Sequence, residues 1–164
     1  MVALELAAAQ WALAIAWETA ATIVPLKLLW SQIAYLGTTS VPLFFLLFAA
    51  SYGQRPSLLT RRAMLALAAI PVLTILAAAT NRWHGLVWPT IEIDPATNLA
   101  IYGHGPWFWI FILYSYFCII SSFILLYHSY VRSPAHYRPQ IRVLIAGAIL
   151  PVVGNIVYVS RLNP

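Results

Sequence analysis

Apolar residues run along this chain in long blocks, broken at intervals by short polar stretches. Five blocks approach or exceed the ~20 residues a helix needs to cross the hydrocarbon of a bilayer. They fall at residues 2–23, 26–52, 62–80, 106–130 and 139–159. The first is the most interrupted, by Glu5, Gln10 and Glu18. All are too long for strands, and in lipid only helices or closed barrels satisfy their backbone internally. The period-two alternation of a barrel is absent. The pattern predicts an all-α fold, a polytopic membrane helix bundle of about five transmembrane helices in one domain over residues 1–164. No internal repeat, low-complexity tail or long linker divides it.

The longest connection, residues 81–105, reads "NRWHGLVWPTIEIDPATNLAIYGHG". "TIEID" and "NLAIY" alternate apolar and polar positions around "PAT", which predicts a short β-hairpin. Gly103 and Gly105 break the chain before Pro106, and Pro106 suits the first turn of the next helix, where its missing N–H costs nothing. Pro42, Pro71 and Pro151 fall inside predicted spans. Each frees a carbonyl and bends its helix, either as a packing kink or as a moving hinge.

Composition agrees with a lipid solvent. The chain is 62% hydrophobic and 8% charged, with a mean hydropathy of +0.83. That polar surface is too small to cover a water-soluble globule, which carries about a quarter charged residues. A net charge of +5 would point to nucleic acid in a soluble protein. Here it reads as a topology marker, and no nucleic-acid partner is expected. The lone Cys118 excludes an intrachain disulfide framework. The opening "MVALELAAAQ" has an acid where a signal peptide would carry a basic region.

The connections differ in charge. "GQRPSLLTRR" holds Arg55, Arg61 and Arg62, and "RSPAHYRPQIR" holds Arg132, Arg138 and Arg142. The opposite side carries Lys27, Arg82 and Arg161, with Glu92 and Asp94 nearby. Positive charge accumulates on the cytoplasmic side. The expected location is therefore a prokaryotic cell membrane, with the N-terminus and both Arg-rich loops cytoplasmic and loop 81–105 extracytoplasmic.

Candidate chemistry is concentrated near the outer face. Trp83, Trp88, Trp107 and Trp109 lie at outer helix ends, where Trp commonly forms an aromatic belt at headgroup level. The alternative is a pocket closed by the outer loop, with His84 and His104 as polar, titratable groups. Two histidines without a spacing signature do not make a metal site. Within the spans, Glu18 is placed at the outer interface and Glu5 at the inner one, both solvated there. Gln32, Ser40, Ser115, Ser121 and Ser122 are further polar positions in the spans. Asn155, one turn past Pro151, is helix-to-helix glue or a ligand contact. Tyr114, Cys118 and Ser121 share a helix face, which more commonly marks a helix contact than a cofactor site. His128 and His136 lack paired spacing for a pigment. No phosphate loop, H-E-x-x-H, C-x-x-C or G-x-S-x-G is present, so no catalytic residue and no cofactor is expected.

Four stretches, "LLWSQIAYLGTTSVPLFFLLFAASYG", "TNRWHGLVW", "YGHGPWFWIFILYSY" and "YRPQIRVLIAGAILPVVGNIVY", carry a resemblance. Together they resemble, in order, the N-terminal seven-helix membrane region of bacterial and archaeal sensor histidine kinases. The positions matched include Thr80, Asn81, His84, Trp88, Gly105, Pro106, Phe108, Trp109, Tyr114, Gln140, Pro151 and Asn155. The resemblance implies a signal-input module, dimeric in the family, ahead of a PAS domain, a kinase or a cyclic-dinucleotide enzyme. Two departures are visible: about five helices instead of seven, and an ending "SRLNP" without phospho-accepting histidine or ATP-binding domain.

The expected function is thus a membrane sensor domain without its own catalytic output. It would take a small or membrane-soluble ligand at Trp83, His84, Trp88, His104, Trp109, Tyr114 and Asn155. The alternative is a structural or accessory transmembrane subunit of a larger complex. A small transporter or channel has less support, because the spans lack central charges and repeat symmetry.

Overall fold

A computed structural model describes residues 1–53, 59–134 and 136–159, the last segment without the side chains of residues 150, 151, 155, 158 and 159. The elements follow in the order α1 (Val2–Ala20), α2 (Val24–Tyr52), α3 (Arg61–Ala79), a one-turn α4 (Asn81–His84), β1 (Ile91–Ile93), β2 (Ala100–Tyr102), α5 (Pro106–Arg132) and α6 (Arg138–Val159). The architecture is the expected all-α membrane bundle with a small hairpin. Among the described residues, α2, α3 and α5 are long and apolar enough to cross a membrane.

The long helices begin and end within about three residues of the sequence expectation, and two of the differences have a clear physical reason. The first helix stops at Ala20 instead of residue 23, because Ala21 turns extended and α2 already begins at Val24 with Pro25 in its first turn. The connection over residues 81–105 does not leave α3 directly as a loop. Thr80 links α3 to the turn of α4, which Gly85 ends in the left-handed conformation that a residue without Cβ adopts at no steric cost.

Helix α2 is the hub. It packs on α1, α3 and α5, while α3 also meets α5, and α6 lies against α5. Lipid tails are as apolar as leucine, so close backbone approach and hydrogen bonds have to hold the helices together. The buried positions fit that requirement. They include Ala34, Thr39, Ala49 and Ala50 on α2, and Ser115, Cys118 and Ser122 on α5. Where α1 crosses α2, a Cβ on Gly37 would run into the Ala7 carbonyl and the Trp11 side chain. The outward surface is the reverse of a soluble protein's: Leu6, Leu113 and Val143 are all exposed.

The hairpin pairs antiparallel, with Ile91 opposite Tyr102, Glu92 opposite Ile101 and Ile93 opposite Ala100. Asp94 builds its tip, accepting the Ala96 N–H (2.9 Å) and the Thr97 hydroxyl (2.6 Å) while its own N–H donates to Leu99 O. These bonds hold the Asp94 carboxyl below its ordinary value of 3.8. Asn98 takes the left-handed conformation this turn needs (φ 56°).

Candidate functional site

The hairpin end of the bundle is built around one buried side chain, Asn81. Its Oδ1 accepts the N–H groups of Val87 (2.9 Å) and Trp88 (3.0 Å), and its Nδ2 donates to Trp88 O (2.9 Å). This folds residues 85–88 back over the end of α3. The carbonyls of Leu86 and Val87 then face α5 and accept the N–H groups of Trp107 and Gly105, two donors at the helix start that otherwise lack partners. The approach is so close that a Cβ on Gly105 would collide with the Leu86 carbonyl. Around this turn Ala78, Val87 and Trp88 form a buried cluster, with Tyr35, Ile91, Tyr102 and Trp107 against it.

Beside the cluster lies a buried polar group that joins three elements. Glu18, expected to be solvated, is only 7% exposed, and Lys27, expected to be a topology marker, is 1% exposed. The physical cause is contact with distant segments: Tyr102 and Asn98 of the hairpin reach the end of α1, and Lys27 folds back onto the same end, so both side chains face protein instead of headgroups. Lys27 Nζ donates to Glu18 O (3.1 Å), one of the carbonyls left over at the end of α1. Asn98 Nδ2 donates to another, Ala21 O (3.1 Å). The Tyr102 hydroxyl donates to Glu18 Oε1 (3.1 Å) and is hydrogen-bonded to Ser31 Oγ. Glu5, by contrast, is exposed.

The seven candidate ligand residues fall in different surroundings. Trp83 is 75% exposed and Trp109 50% exposed, both on the outward surface. Trp88 is in the core, edge-on to Tyr35 at 4.9 Å and tilted against Tyr102 at 5.2 Å. His84 is exposed and closes a local clip. Its Nδ1 accepts the Leu86 N–H (3.0 Å), which leaves the ring proton on Nε2 to reach Thr80 Oγ1 (3.0 Å). His104 stacks flat on Phe108 at 4.0 Å, with Trp109 edge-on at 5.9 Å. His104, Phe108 and Trp109 are therefore one group; Trp83 and His84 are not part of it.

Tyr114 lies deeper. Its hydroxyl donates to Leu67 O (2.8 Å), the carbonyl that Pro71 deprives of its helical partner four residues on. Further along α3, Trp107 Nε1 donates to Thr74 Oγ1 (3.0 Å), so α5 is hydrogen-bonded to α3 on both sides of Pro71. Asn155 is on α6, and its side chain lies outside the described residues.

Sequence reasoning missed Tyr102, Ser31 and the roles of Asn81 and Lys27. One signal was available for the polar group. Glu18 and Lys27 stand on either side of a three-residue helix turn in spans that are otherwise nearly free of charge. No local pattern marks Tyr102, whose partners are 71 and 84 residues away in sequence. Among the described residues, no group of three or more His, Cys, Asp or Glu side chains is placed to hold a metal ion.

A family model described as the N-terminal 7TM region of histidine kinase matches residues 1–164. No curated protein and no solved structure matches the chain.

Proposed function

Since the chain belongs to the family of N-terminal seven-transmembrane regions of histidine kinases, we propose that it is a signal-input domain that converts an event at its outer face into a change of helix packing. It has no catalytic output of its own in this reading. The observation that carries the proposal is the family match across all 164 residues. The geometry supports it. The substructure of α4 and the hairpin bonds to α1 and α2, packs through Val87 and Trp88 on Ala78 of α3 and leads directly into α5, so a displacement there reaches four helices.

The proposed orientation keeps the N-terminus cytoplasmic. The α1–α2 turn and the hairpin share one end of the bundle, as the Asn98–Ala21 bond requires. The end of α2 and the end of α5 share the other, where a Cβ on Gly53 would stand 3.1 Å from Ser129 Oγ. Arg61, Arg62, Arg132, Arg138 and Arg142 belong to that second end. On the hairpin end Lys27 is buried, which leaves Arg82 as its exposed described Lys or Arg, together with Glu92 and Asp94. This asymmetry supports a cytoplasmic second end.

The exposed Trp83 and the Trp109–His104–Phe108 group are the proposed contact surface for a small or membrane-soluble ligand. Trp88 acts there as support, because it is buried. Placed ahead of a histidine kinase core in vesicles, the chain should set the autophosphorylation rate. Trp83→Ala with Trp109→Ala should change that rate several-fold while the fold is retained. A rate indifferent to every substitution on the outer face, together with copurification at fixed stoichiometry with a membrane complex, would favour an accessory subunit instead.

A further inference from the structure

The hairpin is held to the bundle by a directional chain of hydroxyls. Tyr102 has a single hydroxyl proton and donates it to Glu18 Oε1. The bond between Ser31 Oγ and the same phenol oxygen must therefore run from Ser31 to Tyr102. The chain reads Ser31 on α2, Tyr102 on β2, Glu18 on α1. Glu18 and Ser31 are both more than nine-tenths buried, and Lys27 beside them is buried almost completely. Three residues after Tyr102 comes Gly105, the residue that caps α5, and Gly103 N–H is tied to Thr90 O at the other strand. We infer that the Tyr102 hydroxyl is a latch that couples the outer hairpin to the packing of α1 on α2, so that the hairpin cannot lift while α1 keeps its place.

The physical argument is the cost of leaving Glu18 behind. A buried carboxylate that loses its donor must find water or move, and the end of α1 is the part that can move toward water. Lys27 Nζ is engaged with the backbone carbonyl of Glu18, and no ion pair between it and the Glu18 carboxylate is present among the described residues, so Tyr102 is the described donor to that carboxylate. Asn98, which holds Ala21 O, is carried by the same hairpin and leaves with it. The ring of Tyr102 packs on Trp88 independently of the hydroxyl, so Tyr102→Phe removes the latch and keeps the packing. The inference deepens the input reading and rests on it for its purpose only.

The test is amide hydrogen exchange of the chain in lipid nanodiscs, with no ligand and no kinase attached. Tyr102→Phe should speed exchange in the hairpin, residues 91–103, and in the last turn of α1 together. The expected factor is about ten- to hundredfold, the loss of one hydrogen bond to a charged group. Ser31→Ala should speed the same two segments less. Glu18→Gln keeps an acceptor oxygen without the charge and should fall between wild type and Tyr102→Phe, whereas Glu18→Ala should match Tyr102→Phe, and Glu18→Ala with Tyr102→Phe should add little. A hairpin that loosens while the end of α1 keeps its wild-type exchange would overturn the inference. So would no change in either segment, or an equal acceleration through the middle of α5, which would make the hydroxyl a support of the whole fold. Because no output is measured, these results stand apart from the fate of the input reading.

Discussion

The two ends of this bundle are held together differently. At the hairpin end, hydrogen bonds between distant segments cross-link nearly every element: Tyr102 to Glu18, Asn98 to Ala21, Gln32 to Ala78, Trp107 to Thr74. At the other end, the described side-chain bonds are local. Ser122 and Ser129 turn back onto the carbonyls of Cys118 and Leu125 in their own helix, Thr60 caps α3, and Arg138 reaches only to Ser133. A cleft of about 410 Å³ opens there between the ends of α1, α2 and α6, lined by Met1, Phe48, Tyr52, Gln140, Val143 and Leu144. In a solvent that gives no hydrophobic drive between helices, the cross-linked end fixes the arrangement and the other end follows it.

The sharpest way to break this contrast is at Asn81. Asn81→Ala strands the N–H groups of Val87 and Trp88 inside the protein and should cost about 3 kcal/mol or more, since each unsatisfied buried group costs roughly 1–3 kcal/mol. Thermal unfolding in nanodiscs should show it, with the turn 85–88 and the start of α5 losing exchange protection first. Ser129→Ala, at the opposite end, should stay within about 0.5 kcal/mol of wild type, as changes outside the special mechanisms do. Equal effects at both sites would remove the distinction between the two ends.

A smaller effect is expected midway along the bundle. Tyr114→Phe removes the donor to the carbonyl that Pro71 frees and should destabilise by about 1 kcal/mol. With Pro71→Ala, residue 71 regains an N–H for Leu67 O, so the tyrosine change should cost less in that background. A double-mutant cycle reads the difference. Additive costs would mean that Tyr114 does not serve the carbonyl that Pro71 frees.

The smallest effect is at the hairpin tip. The Asp94 carboxyl titrates below 3.8 in the folded chain, because Thr97 and Ala96 donate to its charged form. Its contribution is therefore complete above the ordinary carboxylate value and lost as the pH falls through the lowered one. Asp94→Asn should flatten that acid dependence of hairpin exchange and leave the helices unchanged.

Much of this was legible in the chain. "TIEIDPATNLAIY" announced a hairpin because alternation and a Pro-Ala-Thr turn have a period and a chemistry of their own. The start of α5 followed from Gly105-Pro106, while its end at Arg132 lies beyond the expected residue 130. The surroundings of Glu18 did not follow. An acid near a span end reads as solvated, and only the approach of Tyr102 from the hairpin to the end of α1 makes it a buried, hydrogen-bonded group. Trp88 and Trp83, five residues apart and alike on paper, part company for the same kind of reason: Asn81 turns the chain between 85 and 88 inward and leaves Trp83 outside.

Sequence alone determined the elements and the charge asymmetry of the connections, because hydrocarbon thickness sets helix length and lipid forces every backbone bond to close within its segment. Tertiary structure decided which side chains meet. Helices apolar on nearly all sides carry little periodic sign of their inner face, so pairings across 71 or 84 residues, Ser31 or Glu18 with Tyr102, were set by packing and not by pattern.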